Sequence, residues 1–210
     1  KIFDKSLKIK PDFWQAINNQ GLAHFEKNNI DQSIKLFKKA ILIEENAEPL
    51  LALASSLRIK DPQLALQLAK KALNKNPEYV NYDYRKEQLW GGKLQASTET
   101  LLQNDVLQID VKLAKSKINL SIKFFEEAIS IEENAEPLLG LASCLRMKDI
   151  KLALELAKRA LTKNPNYVNY DYRKEQLWGE KLQTSTKLLL QNNELQTDVI
   201  LAKSKINKSS

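Results

Sequence analysis

Residues 21–41 read GLAHFEKNNIDQSIKLFKKAI, and the spacing of their apolar positions decides the fold. Ile17, Gly21 and Phe25 lie four apart, ahead of the turn pair Asn28-Asn29. Ile34, Phe37, Ala40 and Ile41 then follow at the three-and-four spacing that lines one side of a helix. Two helices joined by a short polar turn are expected, over residues 13–27 and 32–44, with Asp31 as the N-cap of the second. The pattern returns in LALQLAKKALNKNP at residues 64–77, which pairs a helix over 48–60 with one over 62–74. There Asp61 is the cap, Pro62 takes the first helical position and Pro77 stops the run. Ala52, Ala54, Ala65, Ala69 and Ala72 let two helices approach closely, and Leu50, Leu53, Leu57 and Leu66 fill the gaps.

Further along, residues 82–103 read as another helix whose apolar residues are Tyr84, Leu89, Trp90 and Leu94. Gly91-Gly92 weakens it, as a kink or a point of close packing. Residues 106–118 run without a breaker into 121–131, which predicts one long helix. At the start, KIFDKSLKIKP carries Ile2, Phe3, Leu7 and Ile9 on one helical stripe closed by Pro11. Only five glycines and six prolines occur, and no stretch alternates apolar and polar residues as a strand would. The expected fold is all-α: a helix–turn–helix repeat solenoid, wound as a right-handed superhelix, with no β-sheet.

A larger repeat overlies the helix pairs. Residues 33–120 and 121–208 align without a gap, about three positions in four being identical. Residues 1–210 are accordingly expected to form a single solenoid containing a tandem duplication. Residues 1–11 fit the second half of a repeat whose first helix is missing, so they are expected to be the remnant of a truncated upstream repeat in a longer protein.

The shorter unit resembles the tetratricopeptide repeat. Gly21, Phe37 and Ala40 match that family's pattern, as do Ala54, Ala65, Ala72 and Pro77, then Ala142, Ala153, Ala160 and Pro165. His24 stands where an aromatic is usual, Ser33 where alanine is usual, and Glu45 replaces the closing proline. The resemblance implies a non-catalytic scaffold that binds a peptide or protein segment in a concave groove walled by first helices. Inward-pointing residues by that geometry are Gln15, Asn18, Leu22 and Phe25, then Leu51, Ser55 and Arg58, then Arg85, Gln88 and Lys93 with second-copy partners Arg173, Gln176 and Lys181. Such amides, apolar residues and cations suit an extended or helical segment with acidic residues. Some family members clamp a chaperone's C-terminal carboxylate with Lys and Asn on first helices. Asn18 and Leu22, then Leu51 and Ser55, occupy those positions here, so that clamp is not expected.

Chemistry-bearing residues are scarce. His24 and Cys144 are the single histidine and cysteine, and neither lies in a nucleophile or metal-ligand context; the first reads as a packing residue and the second as a small buried thiol. No Cys/His cluster has zinc spacing and no glycine-rich phosphate loop is present, so neither metal nor cofactor is expected. A lone thiol, no signal peptide at Lys1–Lys5 and no apolar run near 18 residues lead to a cytoplasmic expectation without a membrane span. The net charge of +7 is dispersed among acidic residues, as on a solvated face.

The segment YVNYDYRKEQLWG is identical at residues 79–91 and 167–179. Two readings stand. In one, Leu89 and Trp90 pack the array while Tyr82, Arg85 and Lys86 face water; in the other the segment is a ligand surface rich in hot-spot residue types. Other functions also remain open: a nucleic-acid-binding repeat, the binding arm of a larger enzyme, and end-to-end self-association. Between the copies Lys38-Lys39 becomes Glu126-Glu127 and Glu99 becomes Lys187, reversals expected to lie on exposed faces where they cost little.

Overall fold

The computed structural model describes residues 12–209. Among these it contains twelve α-helices, four short 3-10 turns and no strand. The stripe assigned to residues 1–11, and with it the proposed upstream remnant, lies outside the described residues. Contacts divide the chain into two units at Lys117/Ile118, three residues before the sequence duplication restarts.

In the first unit, α1 (Trp14–Glu26) and α2 (Ile30–Ile43) form one pair, and α3 (Ala47–Leu57) and α4 (Pro62–Lys75) the next. Gly21 has a packing reason: a Cβ there would stand 2.6 Å from the Phe37 ring, so only glycine lets α1 lie against α2. Asp61 caps α4 through a 3.1 Å bond from the Leu64 amide, and Pro62 begins the helix. Asp31 does not cap α2. The helix starts one residue earlier, at Ile30, and places Asp31 in its first turn, where it pairs with Lys60. Glu45 ties the two pairs together by meeting Lys71 and Lys75 of α4.

Residues 82–103 are two helices, α5 (Tyr82–Glu87) and α6 (Gly92–Leu102), which corrects the single-helix expectation. The break comes before the glycines, at Leu89, whose φ of 66° is left-handed. Gly91 is instead a contact point, where a Cβ would fall 2.2 Å from the Glu26 carboxyl carbon. The turn swings α6 back onto both α1 and α3. A 3-10 turn (Asp105–Leu107) then leads into α7 (Gln108–Ile131), one continuous helix as predicted.

The second unit repeats these elements as α8 (Ala135–Leu145), α9 (Ile150–Lys163), α10 (Tyr170–Glu175), α11 (Glu180–Leu190) and α12 (Gln196–Ser209). Its local solutions are the same. Asp149 caps α9, Glu133 meets Arg159 and Lys163, and Leu177 takes a φ of 62°. No helix among the described residues is long and apolar enough to cross a membrane.

Candidate interaction site

The polar centre of the first unit is built where α6 folds over α1 and α3. Glu48 begins α3 and is buried there; its Oε1 accepts from Asn18 Nδ2 at 2.8 Å and from Trp90 Nε1 at 3.3 Å. Burial pushes its carboxyl up to about 7, against the pull of those donors. The same burial, with Glu48 beside it, raises the Tyr79 phenol well above its ordinary range. Tyr79 in turn meets Tyr84 edge-on, with ring centroids 5.0 Å apart.

Arg85 lies in the same layer with no exposed surface. Its guanidinium donates to the Tyr79 carbonyl at 2.6 Å, to Gln95 Oε1 at 2.8 Å and to the Glu99 carboxylate. Burial lowers its pKa and Glu99 partly restores it. A guanidinium satisfied on three sides is a cross-brace between α5 and α6. Arg85 therefore does not face water, and the identical YVNYDYRKEQLWG segment sends Tyr79, Tyr84, Arg85 and Trp90 inward. Leu89, expected to pack the array, is 67% exposed. Within the segment the structural part is carried by Tyr79, Tyr84, Arg85 and Trp90, while Tyr82, Asp83, Lys86, Glu87 and Leu89 are exposed.

Several residues assigned to a groove are spent in the same way. Asn18 is bonded to Glu48, and Leu22, Phe25 and Leu51 are buried apolar residues. Ser55 meets Thr98 Oγ1 at 2.7 Å in the seam between α3 and α6, and its carbonyl accepts from Ser97. Arg58 is half-buried with its Nε 3.4 Å from Ser97 Oγ. In the second unit Arg173 repeats the Arg85 bonds to Tyr167 and Gln183. Gln15, Lys93, Gln176 and Lys181 are exposed and Gln88 half-exposed. The physical reason for the difference is α6, which covers the inner faces of α1 and α3 that a simple stack of pairs would leave open.

The reversal of Glu99 to Lys187 is likewise not a neutral surface change. Glu99 is the carboxylate partner of buried Arg85, whereas Lys187 puts a cation at the matching position beside Arg173. Lys38, Lys39, Glu126 and Glu127 are exposed as expected. Cys144 is half-buried. His24 is partly exposed, its Nδ1 3.5 Å from the Asn29 amide nitrogen. Among the described residues no group of three or more His, Cys, Asp or Glu could hold a metal ion.

Among the described residues of the first unit, an apolar cleft of about 150 Å³ is lined by Asn19, Leu22, Ala23, Glu26, Leu89 and Gly91. Such a volume takes one side chain rather than a drug-sized molecule. One wall is the C-terminal half of α1, held in place because Glu26 accepts from the Lys93 and Leu94 amides at 3.2 and 3.0 Å, capping α6. The other is Leu89, aimed into solvent from a left-handed backbone that costs a leucine about 1 kcal/mol. Sequence reasoning missed Glu26, Glu48 and Glu99. A signal for Glu48 was present, because Glu48 and Trp90 recur as Glu136 and Trp178 with the same separation.

Comparison with known families finds that residues 15–46, the span of α1 and α2, match the model of the tetratricopeptide repeat. No curated protein matches the chain.

Proposed function

We propose that the chain acts as a non-catalytic scaffold for a partner's peptide or protein segment, as the match of residues 15–46 to the tetratricopeptide repeat, a unit that generally mediates protein–protein interaction, supports. The observation that carries this reading is the cleft between α1 and Leu89. The side chains of Leu89 and Leu177, carried on a left-handed backbone in both copies, bury little themselves, being 67% and 92% exposed. An apolar side chain held in solvent beside an apolar cleft is placed for contact with a partner. The partner places an apolar side chain in the cleft, and Gln15, Gln88 and Lys93 of the same unit supply amides and a cation for a segment with acidic residues. Leu22 serves as the cleft's floor. Lys60, Lys71 and Arg159 are held in pairs with Asp31, Glu45 and Glu133 rather than gathered into a basic stripe, which disfavours a nucleic-acid surface.

The test is capture from native lysate on the immobilised chain and on Leu89→Asn, at low and moderate salt. Asn tolerates the left-handed backbone, so the variant keeps the fold while losing the apolar wall. A defined protein held at moderate salt by the wild type and lost by the variant supports the scaffold reading. Recovery of nucleic acid alone, released as salt rises, overturns it.

A further inference from the structure

The two units carry matching walls, and in the first the space between them is filled by α1. Trp14 and Ile17 pack with Ala40, Gly21 presses on Phe37, Asn18 bonds Glu48, and Glu26 caps α6. Under this cover Ser33, Phe37, Ala40 and Glu48 are buried. Their counterparts in the second unit share side-chain type and backbone position but not burial. Ser121 is exposed, while Phe125, Ala128 and Glu136 are only half-buried. Phe124, in the place of Leu36, is 59% exposed, and Leu182 is half-buried where Leu94 is fully enclosed. No helix of the second unit folds back over these residues, because the chain ahead of Ser121 runs straight into it as α7.

Two glycines match an uncovered wall. Gly140 replaces Ala52, and the Phe125 ring leans into the space, 2.5 Å from where a Cβ would stand. Gly179 keeps the glycine that in the first unit makes room for the Glu26 carboxylate, yet nothing lies within 4 Å of it. The Glu136 carboxylate, reached by Trp178 Nε1 at 3.0 Å and Tyr167 OH at 3.4 Å, lacks the carboxamide that Glu48 has.

We propose that this groove of the second unit receives an amphipathic helix of a separate protein, built on the side-chain pattern of α1. The helix carries two bulky apolar residues three apart, next a carboxamide for Glu136, a small residue three further on to lie over Phe125, and finally a carboxylate for the amides that open α11. The occupant follows from the duplication itself, since the near-identical walls of the first unit hold a helix of that composition. The proposal goes beyond the cleft at Leu89 and uses residues of the second unit alone.

The probe is a labelled peptide of residues 12–27 with Ala23→Glu lactam-bridged to Lys27, because a free 16-residue helix is marginal in water. Both bridge positions are exposed in the chain. Titrated with the full chain in fluorescence anisotropy, it should saturate with Kd on the order of 10 µM. Asn18→Asp in the peptide, which sets two carboxylates together, and Phe124→Glu in the chain should each weaken binding by about tenfold or more. Phe124 is exposed, and an unchanged circular dichroism spectrum verifies that the variant folds. No saturation by about 1 mM, or full binding to Phe124→Glu, overturns the proposal. So does concentration-dependent dimerisation abolished by Phe124→Glu, which would assign the groove to a second copy. Loss of lysate capture with intact peptide binding would instead remove only the scaffold reading at Leu89.

Discussion

Replacing Glu48 by glutamine should make the protein more stable, and increasingly so as pH rises. The wild-type carboxyl has its pKa raised from an ordinary 4.5 to about 7 by burial. The folded state therefore holds this proton more tightly than the unfolded state. Its contribution is most favourable below about pH 4.5 and is lost as pH rises through 7. The interval corresponds to roughly 3 kcal/mol at alkaline pH. Glutamine keeps the oxygen that accepts from Asn18 and Trp90, and brings a donor beside Asn18 Oδ1, which is buried without a hydrogen-bond partner. Urea unfolding followed by tryptophan fluorescence at pH 5, 6.5 and 8 reads the effect, Trp90 being adjacent. The expected gain for Glu48→Gln is about 1–3 kcal/mol at pH 8 and under about 1 kcal/mol at pH 5. A variant less stable than wild type at pH 8, or a gain independent of pH, would refute the burial argument.

Four further outcomes follow from the same geometry. Gly91→Ala should cost about 1–2 kcal/mol, because the new methyl displaces the Glu26 cap, whereas Gly179→Ala should stay within about 0.5 kcal/mol; paired thermal melts separate them. Arg85→Met should cost about 3 kcal/mol or more in urea unfolding, since it orphans the Tyr79 carbonyl and Gln95 while leaving Glu99 without its cation. In the second unit Lys187→Glu should restore the missing carboxylate to Arg173 and stabilise by about 0.5–1 kcal/mol, an increment that shrinks in high salt. Leu177→Gly should raise stability by up to about 1 kcal/mol, because it relieves a left-handed leucine that is 92% exposed.

The helical character and the pairing of helices were legible in the sequence because they depend on local spacing. Ile34, Phe37 and Ala40 had to share a face, Asp61 and Pro62 had to open a helix, and the turn at Asn28 left α1 and α2 nowhere to pack but against each other. The break at Leu89 was not legible: a leucine has no local preference for positive φ, and it is held there by the pull of α6 onto α1 and α3. The direction of the conserved-looking Tyr, Arg and Trp was also hidden, because Arg85 in a solvated helix and Arg85 buried on Gln95 and Glu99 have the same sequence neighbours. The sequence by itself determined that the chain repeats and that its repeats are helix pairs. Only the tertiary structure decided which faces those repeats spend on one another: burial of Glu48 and exposure of Phe124 depend on whether a further helix lies across them, and the two similar copies differ in that respect.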